Sequence, residues 1–254
     1  MDTRIAQALL LAGGFAGGAI LARRGVNAKY FRGHSAAGVT AAGLTGAITL
    51  RTAARIMKER GDLMHQASID TPGTVLITDL DDEETLDAIC KETGVYPANY
   101  NSPHQILLSG LAGAIKVART RIKAEGARAT LFRGWAAGAV HSPIIEVTAN
   151  MWRSFLDPIV VEDIDAEVVR NIDAKTTSDG DEIKDDLGGM DMPVKWRQGT
   201  VTLLGKGVNR FVEIGPRKRP DREHVLRSFL MDQGLEGRVV MEHISDILGL
   251  NRQE

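Results

Sequence analysis

The segment Tyr30-Phe31-Arg32-Gly33-His34-Ser35-Ala36-Ala37-Gly38 sets a serine where its hydroxyl can act as a nucleophile. An extended run, Ala28 to Gly33, meets a serine flanked by small residues, and an Ala/Gly/Thr-rich helical run follows. Such a strand-to-helix turn is built like a nucleophile elbow. Its strained backbone lifts the hydroxyl out of the sheet, and small residues two before and two after let strand and helix cross closely. Gly33 meets the first requirement. Ala37 stands at the second, where one extra methyl at a tight crossing costs roughly 1–3 kcal/mol.

A hydroxyl nucleophile also needs a base within hydrogen-bond reach and donors for the oxyanion. Six histidines are available. His65 and His104 fall on a helix and a turn, and His224 and His243 lie in the charged C-terminal stretch. His34 adjoins the serine, so its ring should point to the other side of the turn. His141, in Gly138-Ala139-Val140-His141-Ser142-Pro143 just before a helical run, is placed as a base aimed into a site would be. A structural loop histidine would read the same way.

With 254 residues the chain can bury one large core and carry a small inserted domain. A net charge of −2 gives no bulk electrostatic case for a nucleic-acid partner. The single Cys90 excludes a disulfide framework and a Cys-based zinc site, and its apolar helical setting makes it a core residue. No metal site is expected. The acids of Thr177 to Asp186 fail the calcium-loop spacing and read as a solvated loop entering a helix. The 27 glycines with only 5% aromatics fit a tightly packed, cytoplasmic α/β enzyme. One stretch, Ile5 to Ala22, is uncharged and holds two overlapping G-x-x-x-G spacings, as a short membrane helix would. Its Gln7 and its Ala/Gly richness favour a buried core helix, with no membrane association.

Around the elbow, the pattern predicts helices over Thr3 to Ala22, Ala36 to Thr45 and Leu50 to Gln66, the last with Ala53, Ala54, Met57 and Met64 inward. The texture then changes at Asp70-Thr71-Pro72-Gly73. Strands over 74–80, 95–101, 105–109 and 129–132 alternate with helices over 81–93 and 111–125 in the order β-α-β-β-α-β, the ferredoxin-like arrangement. The expected fold is α/β: a hydrolase-like main domain with a mostly parallel sheet, residues 1–70 and 135–254, and an inserted ferredoxin-like subdomain, residues 71–134. Further helices over 144–156 and 193–205 and strands over 166–172 and 210–214 belong to the main domain.

Six segments follow one another in a shared order and spacing: Gly33-His34-Ser35, Ala98-Asn99-Tyr100-Asn101-Ser102-Pro103, Gly138 to Pro143, Val169-Arg170-Asn171, Pro193-Val194-Lys195-Trp196 and Phe211-Val212-Glu213-Ile214-Gly215-Pro216. With them the chain resembles the malonyl-CoA:acyl carrier protein transacylases and the acyltransferase domains of polyketide and fatty-acid synthases, from about Thr3 to Pro216. The resemblance implies ping-pong transfer of malonyl from its CoA thioester to acyl carrier protein, with no cofactor. Ser35 is then the nucleophile and His141 the base, oriented by a main-chain carbonyl from Leu187 to Met190, near Gly189. Arg60 matches the family's clamp for the substrate carboxylate, a task suited to a fork of donors in a dry pocket. The Ala36 amide becomes an oxyanion donor, His34 and Asn101 substrate contacts, and Val140 an acyl-selecting position.

The resemblance implies an opening segment of about sixty residues, a strand and a glutamine-bearing Gly-Gln-Gly-Ser-Gln loop, that would precede Thr3; without it the expectation is an open sheet edge that a second chain could complete. Arg32 and Lys29 make the elbow strand more polar than a central strand should be. Two other readings follow. An inactive acyltransferase-like protein could dock an acidic carrier protein through Arg119, Arg121, Lys123, Arg217, Lys218 and Arg219. A serine hydrolase or thioesterase would need an Asp or Glu orienting His141 and no role for Arg60.

Overall fold

The computed structural model describes residues 2–132, 138–215, 229–231, 233–235 and 239–243. Helix α1, Thr3–Arg23, starts where the Asp2 side chain accepts the Arg4 N–H. Strand β1, Tyr30–Arg32, leads through the Ser35 turn into α2, Ala37–Leu44, and α3 follows over Leu50–Asp70. Along α3 the buried residues Ala53, Ile56, Met57, Arg60, Gly61, Met64 and Ala67 recur at helical spacing. Ala54, expected inward, faces solvent, and Ile56 takes its place.

Helix α1 is not buried all round. Ala6, Gln7, Leu11, Gly17 and Leu21 face the core, whereas Ile5, Leu9 and Ile20 are 57%, 58% and 37% exposed. Its small residues explain why. A methyl at Gly14 would strike Thr40, and one at Gly18 would strike Leu44, so the helix seats its glycines directly against α2. One close contact face suffices, and the opposite apolar face stays largely open to solvent. Among these residues α1 is also the one helix long and apolar enough to cross a bilayer.

The chain then builds a separate small sheet: β2 Gly73–Thr78, α4 Glu83–Thr93, β3 Tyr96–Ser102, β4 Gln105–Leu111, α5 Ala112–Ala124 and β5 Ala129–Leu131. The strands lie in the order β3-β4-β2-β5, every neighbouring pair antiparallel, which is the ferredoxin-like topology. The Asp82 carboxylate caps α4, and Gly94 ends it in the left-handed conformation at φ 70°. Leu76, Leu86, Ile89, Ile106, Leu108, Ile115 and Ile122 form a core of their own. Cys90 joins it, and burial pushes its thiol up to about 12. The expected return to the main domain at residue 135 falls outside the described residues.

Next come a 3-10 turn at Pro143–Ile145, α6 Glu146–Leu156, β6 Glu167–Val169, β7 Thr176–Thr177, α7 Gly180–Gly188, α8 Trp196–Gly205, β8 Arg210–Glu213 and β9 Val240–His243. Strand β1 runs parallel to β6, which pairs antiparallel with β7, and β8 runs parallel to β9. The larger core joins Ile56, Met57, Trp152, Val168 and Ile183 from several of these elements. Strand β1 lies at an edge of its three-stranded sheet, so its polar residues are less costly than in a central strand. Arg32 turns toward α8, stacks 3.6 Å from the Trp196 ring centroid and donates to Thr200 Oγ1 and to the Trp196 carbonyl. Gly199 leaves the room it needs. The two regions meet where Tyr100 N–H donates to the Val194 carbonyl and Val194 N–H to the Ala98 carbonyl. That seam carries Asn101 to the edge of the Ser35 turn.

Candidate active site

The sharp turn between β1 and α2 holds Ser35 at φ 54°, a left-handed conformation that a non-glycine residue adopts only when its surroundings enforce it. Gly33 makes the crossing possible: a methyl there would overlap the Ala37 main chain. The tight point is therefore Gly33. Ala37, expected to strain the crossing, opens α2 as a half-buried helical residue, and the clash at the crossing involves its main chain rather than its methyl. The Ser35 N–H donates to Asn171 Oδ1 at 3.1 Å. Among the described residues no acceptor takes the Ala36 N–H, which leaves it available to an oxyanion.

His141 occupies the same unusual backbone region, φ 53°, in a turn closed by Ser142 Oγ on the Ala139 carbonyl. Its N–H donates to the Met190 carbonyl, and its Nδ1 lies 2.9 Å from the Met192 carbonyl. The orienting carbonyl is thus that of Met192, beyond the expected Leu187 to Met190 stretch. That stretch holds the main chain of His141 instead, because the chain past α7 turns twice before reaching the ring. No Asp or Glu orients His141 among the described residues, contrary to what the hydrolase reading requires.

Ser35 Oγ lies 2.7 Å from His141 Nε2 and 3.0 Å from an Arg60 Nη. Arginine can only donate, so the hydroxyl accepts from Arg60 and gives its proton to Nε2. The Met192 carbonyl can only accept, so Nδ1 carries the ring proton. One tautomer satisfies all three partners. It leaves the lone pair of Nε2 facing the Ser35 hydroxyl, as a base would need.

Arg60 is 4% exposed and has no carboxylate partner among the described residues. Burial pushes its guanidinium down to about 10. Its other Nη donates to Gln7 Oε1 at 3.0 Å, and Gln7 is held by Thr3 Oγ1 and Met64 sulfur in full burial. His141 is pushed down to about 3, first by burial and then by the Arg60 charge. The cleft lined by Ser35, Val39, Arg60, His141, Asn171, Asp186 and Leu187 measures about 20 Å³, the room of one water.

The remaining candidates fall around this centre. His34 turns from the cleft, as expected, and meets Asn101 Oδ1 at 2.9 Å and the Trp196 ring at 5.1 Å between centroids. Val140 is buried beside His141. His65 lies near Asp2 and His104 near Asp81, both away from Ser35, and His224 is outside the described residues. Arg121 and Lys123 belong to α5, and Arg119 binds the Ala129 carbonyl. Arg217, Lys218 and Arg219 are outside the described residues.

Sequence reasoning missed Gln7, Asn171 and Asp186. Gln7 had a signal, being the lone amide in an uncharged helical run. Asn171 lies in one of the six segments, but nothing there gave it a task. Asp186 had no signal among five acids of one segment, four of which do point outward or cap a helix. It is 7% exposed and accepts from Asn171 Nδ2 at 3.1 Å and from the main-chain N–H groups of Asn171 and Ile172.

A curated malonyl CoA-acyl carrier protein transacylase of Bacillus subtilis is 28% identical over 200 residues, 76% of this chain. The chain spans 63% of that relative's length. The solved malonyl CoA-acyl carrier protein transacylase of Clostridium perfringens, at 24% identity, superimposes with a TM-score of 0.86 over 99% of this chain and 80% of its own. A malonyl-transacylase solved in complex with its type II polyketide synthase acyl-carrier protein is 27% identical, with a TM-score of 0.81 over 95% of this chain and 78% of its own. Residues 1–218 match the acyl transferase domain, and the chain belongs to that family.

Proposed function

We propose that this chain transfers malonyl from its CoA thioester to the phosphopantetheine thiol of an acyl carrier protein, through an ester on Ser35. The observation that carries the reading is Arg60, a buried guanidinium without a carboxylate among the described residues, bonded to the very hydroxyl that His141 is set to deprotonate. A buried cation lacking an anion is costly. A substrate carboxylate supplies one, and a neutral acetyl group does not.

In the first half-reaction Ser35 Oγ attacks the thioester carbon while its proton passes to His141 Nε2. The oxyanion meets the Ala36 N–H. Collapse breaks the C–S bond, and His141 returns the proton to the departing CoA thiolate. In the second half, His141 takes the proton of the pantetheine thiol, sulfur attacks the ester, and the proton returns to Ser35. No cofactor enters any step. For the acyl group to fit, the cleft must open, and Arg60 must turn from Ser35 Oγ to the incoming carboxylate. That pairing also removes the second cause of the low His141 pKa, so the base strengthens as substrate binds.

We assign the larger part, residues 1–70 and 135–254, the reacting groups, and the insert, residues 71–134, one wall of the substrate path. His34 and Asn101 line that path at the seam, Val140 borders the acyl group, and the reading places the enzyme in the cytoplasm. The names of the curated relatives and the solved carrier-protein complex support this substrate and partner. The test is incubation of folded protein with labelled malonyl-CoA, followed by carrier protein. A malonyl ester on Ser35 that moves to the carrier is expected. Carrier binding without any Ser35 ester overturns the reading and leaves a docking protein.

A further inference from the structure

We propose that Asp186 is a positioning residue that holds the Ser35 turn in its reactive conformation through Asn171. The inference deepens the reading of Ser35 as nucleophile. The φ of 54° at Ser35 is unfavourable for a side chain with a Cβ, so something must hold it. The holding contact is the bond from Ser35 N–H to Asn171 Oδ1. A carboxamide can present its oxygen or its nitrogen to that N–H, and only the oxygen serves. Its orientation is decided at the other end, where Asn171 Nδ2 donates to Asp186 Oδ2. Asp186 Oδ1 accepts the N–H groups of Asn171 and Ile172, which fixes the carboxylate itself. A carboxylate accepts and never donates, so this end admits only the Nδ2 side of the amide.

The placement of Asp186 extends its reach. It sits two residues before the end of α7, and the chain just beyond supplies the Met190 and Met192 carbonyls that hold His141. Trp152 Nε1 donates to the carbonyl of Leu187, the residue after Asp186, at 2.7 Å. One short stretch therefore holds the nucleophile by a side chain and the base by main-chain carbonyls. A carboxylate whose task was only to cap α7 would lie at the helix start, where Asp179 already does so. Asp186 lies at the other end, where an anion opposes the helix dipole. Its position is unfavourable for the helix and useful to the turn.

The test exchanges the two side chains. In Asp186→Asn, the amide at 186 keeps one accepting oxygen, its NH2 faces that of Asn171, and the Asn171 carboxamide loses its orientation. In the double exchange Asn171→Asp with Asp186→Asn, the carboxylate now at position 171 accepts both the Ser35 N–H and the NH2 at position 186. The charge is kept, and every donor again has an acceptor. Two readouts are followed on folded protein: hydrogen exchange of the Ser35 amide, and labelling of Ser35 by a fluorophosphonate. Neither uses malonyl-CoA or a carrier protein, so failure of malonyl transfer with normal labelling would sink the proposed substrate and leave this inference standing. For Asp186→Asn, Ser35 exchange should quicken and labelling slow, each roughly ten- to hundredfold, the worth of one charge-assisted bond. The exchange variant should return both to within about threefold of the parent. Parent-like exchange and labelling in Asp186→Asn overturn the proposal, since a residue serving only the packing of α7 would leave the Ser35 amide unmoved. If Asp186→Asn yields no folded protein, the double exchange decides: parent-like behaviour supports the proposal, and misfolding or slowed labelling overturns it.

Discussion

The small antiparallel sheet and the floor of the Ser35 cleft are both well buried, yet they are filled in opposite ways. Between β2, β4, α4 and α5 the interior is mainly Leu, Ile and Val, and the strands also bury the polar side chains of Thr78 and Ser109. Beneath Ser35 the interior holds Gln7 bonded to Arg60, Arg60 and His141 both on the Ser35 hydroxyl, and Asn171 bonded to Asp186. Two non-glycine residues there adopt positive φ, Ser35 and His141, and their side chains are the pair that meets at 2.7 Å. The first region is what a chain does to be stable. The second gives up apolar packing for buried polar groups joined by hydrogen bonds, with the Arg60 charge left without a carboxylate among the described residues.

The largest effect that would sharpen this contrast is at Ser35. Ser35→Ala should abolish acylation, a loss on the order of 10⁴-fold or more, with circular dichroism and melting close to the parent. Retained transfer would remove the cleft from the account altogether. The converse experiment is Leu108→Ala in the small sheet, where Leu108 is fully buried. It should cost about 2–5 kcal/mol in denaturant unfolding while turnover per folded molecule stays at the parent level. A turnover defect without a stability defect would break the division between the regions.

Next is Arg60→Ala. It removes the cation and strands Gln7 Oε1, so stability falls modestly. Its diagnostic effect is on choice: the preference for malonyl-CoA over acetyl-CoA should drop roughly ten- to hundredfold, the value of charge-assisted bonds to one carboxylate. An unchanged ratio of kcat/KM values would place selectivity elsewhere.

The smallest effect is in pH. His141 in the free protein is held at about 3, against an ordinary histidine value of about 6.5. The neutral base is then present down to low pH, so kcat/KM should show no acid limb near 6.5. Because the substrate carboxylate cancels the Arg60 charge, the limb in kcat should lie at higher pH than that in kcat/KM. For stability the sign is the same: between about 6.5 and 3 the unfolded histidine binds a proton and the buried one does not, so acidification through that window weakens the fold. A half-loss of kcat/KM close to 6.5 would contradict the burial of His141.

The contrast also explains what the sequence disclosed. In the small sheet, periodicity and turn residues located each element to within a few positions, because apolar burial writes itself into spacing. The elbow was legible from Gly33, whose missing side chain is a steric necessity, and His141 from its loop setting. Arg60 stood out only through its register with a family. On α3 its charge resembles a solvent-facing residue, yet it lies among Met57, Gly61 and Met64. Met192 supplies a carbonyl, which every residue has, so no letter marks it. Asp186 shares its composition with its exposed neighbours and differs only in what folds over it. The apolar surround of α1 suggested full burial, because a hydropathy pattern records what a face could tolerate and not whether a neighbour arrives.

The most direct test is a crystal structure of the protein after exposure to malonyl-CoA. The account predicts an acyl carbon bonded to Ser35 Oγ, its free carboxylate on both Nη atoms of Arg60, and His141 Nε2 within hydrogen-bond reach of the ester oxygen. An acyl group attached to another residue, or a Ser35 ester whose carboxylate lies away from Arg60, would contradict it.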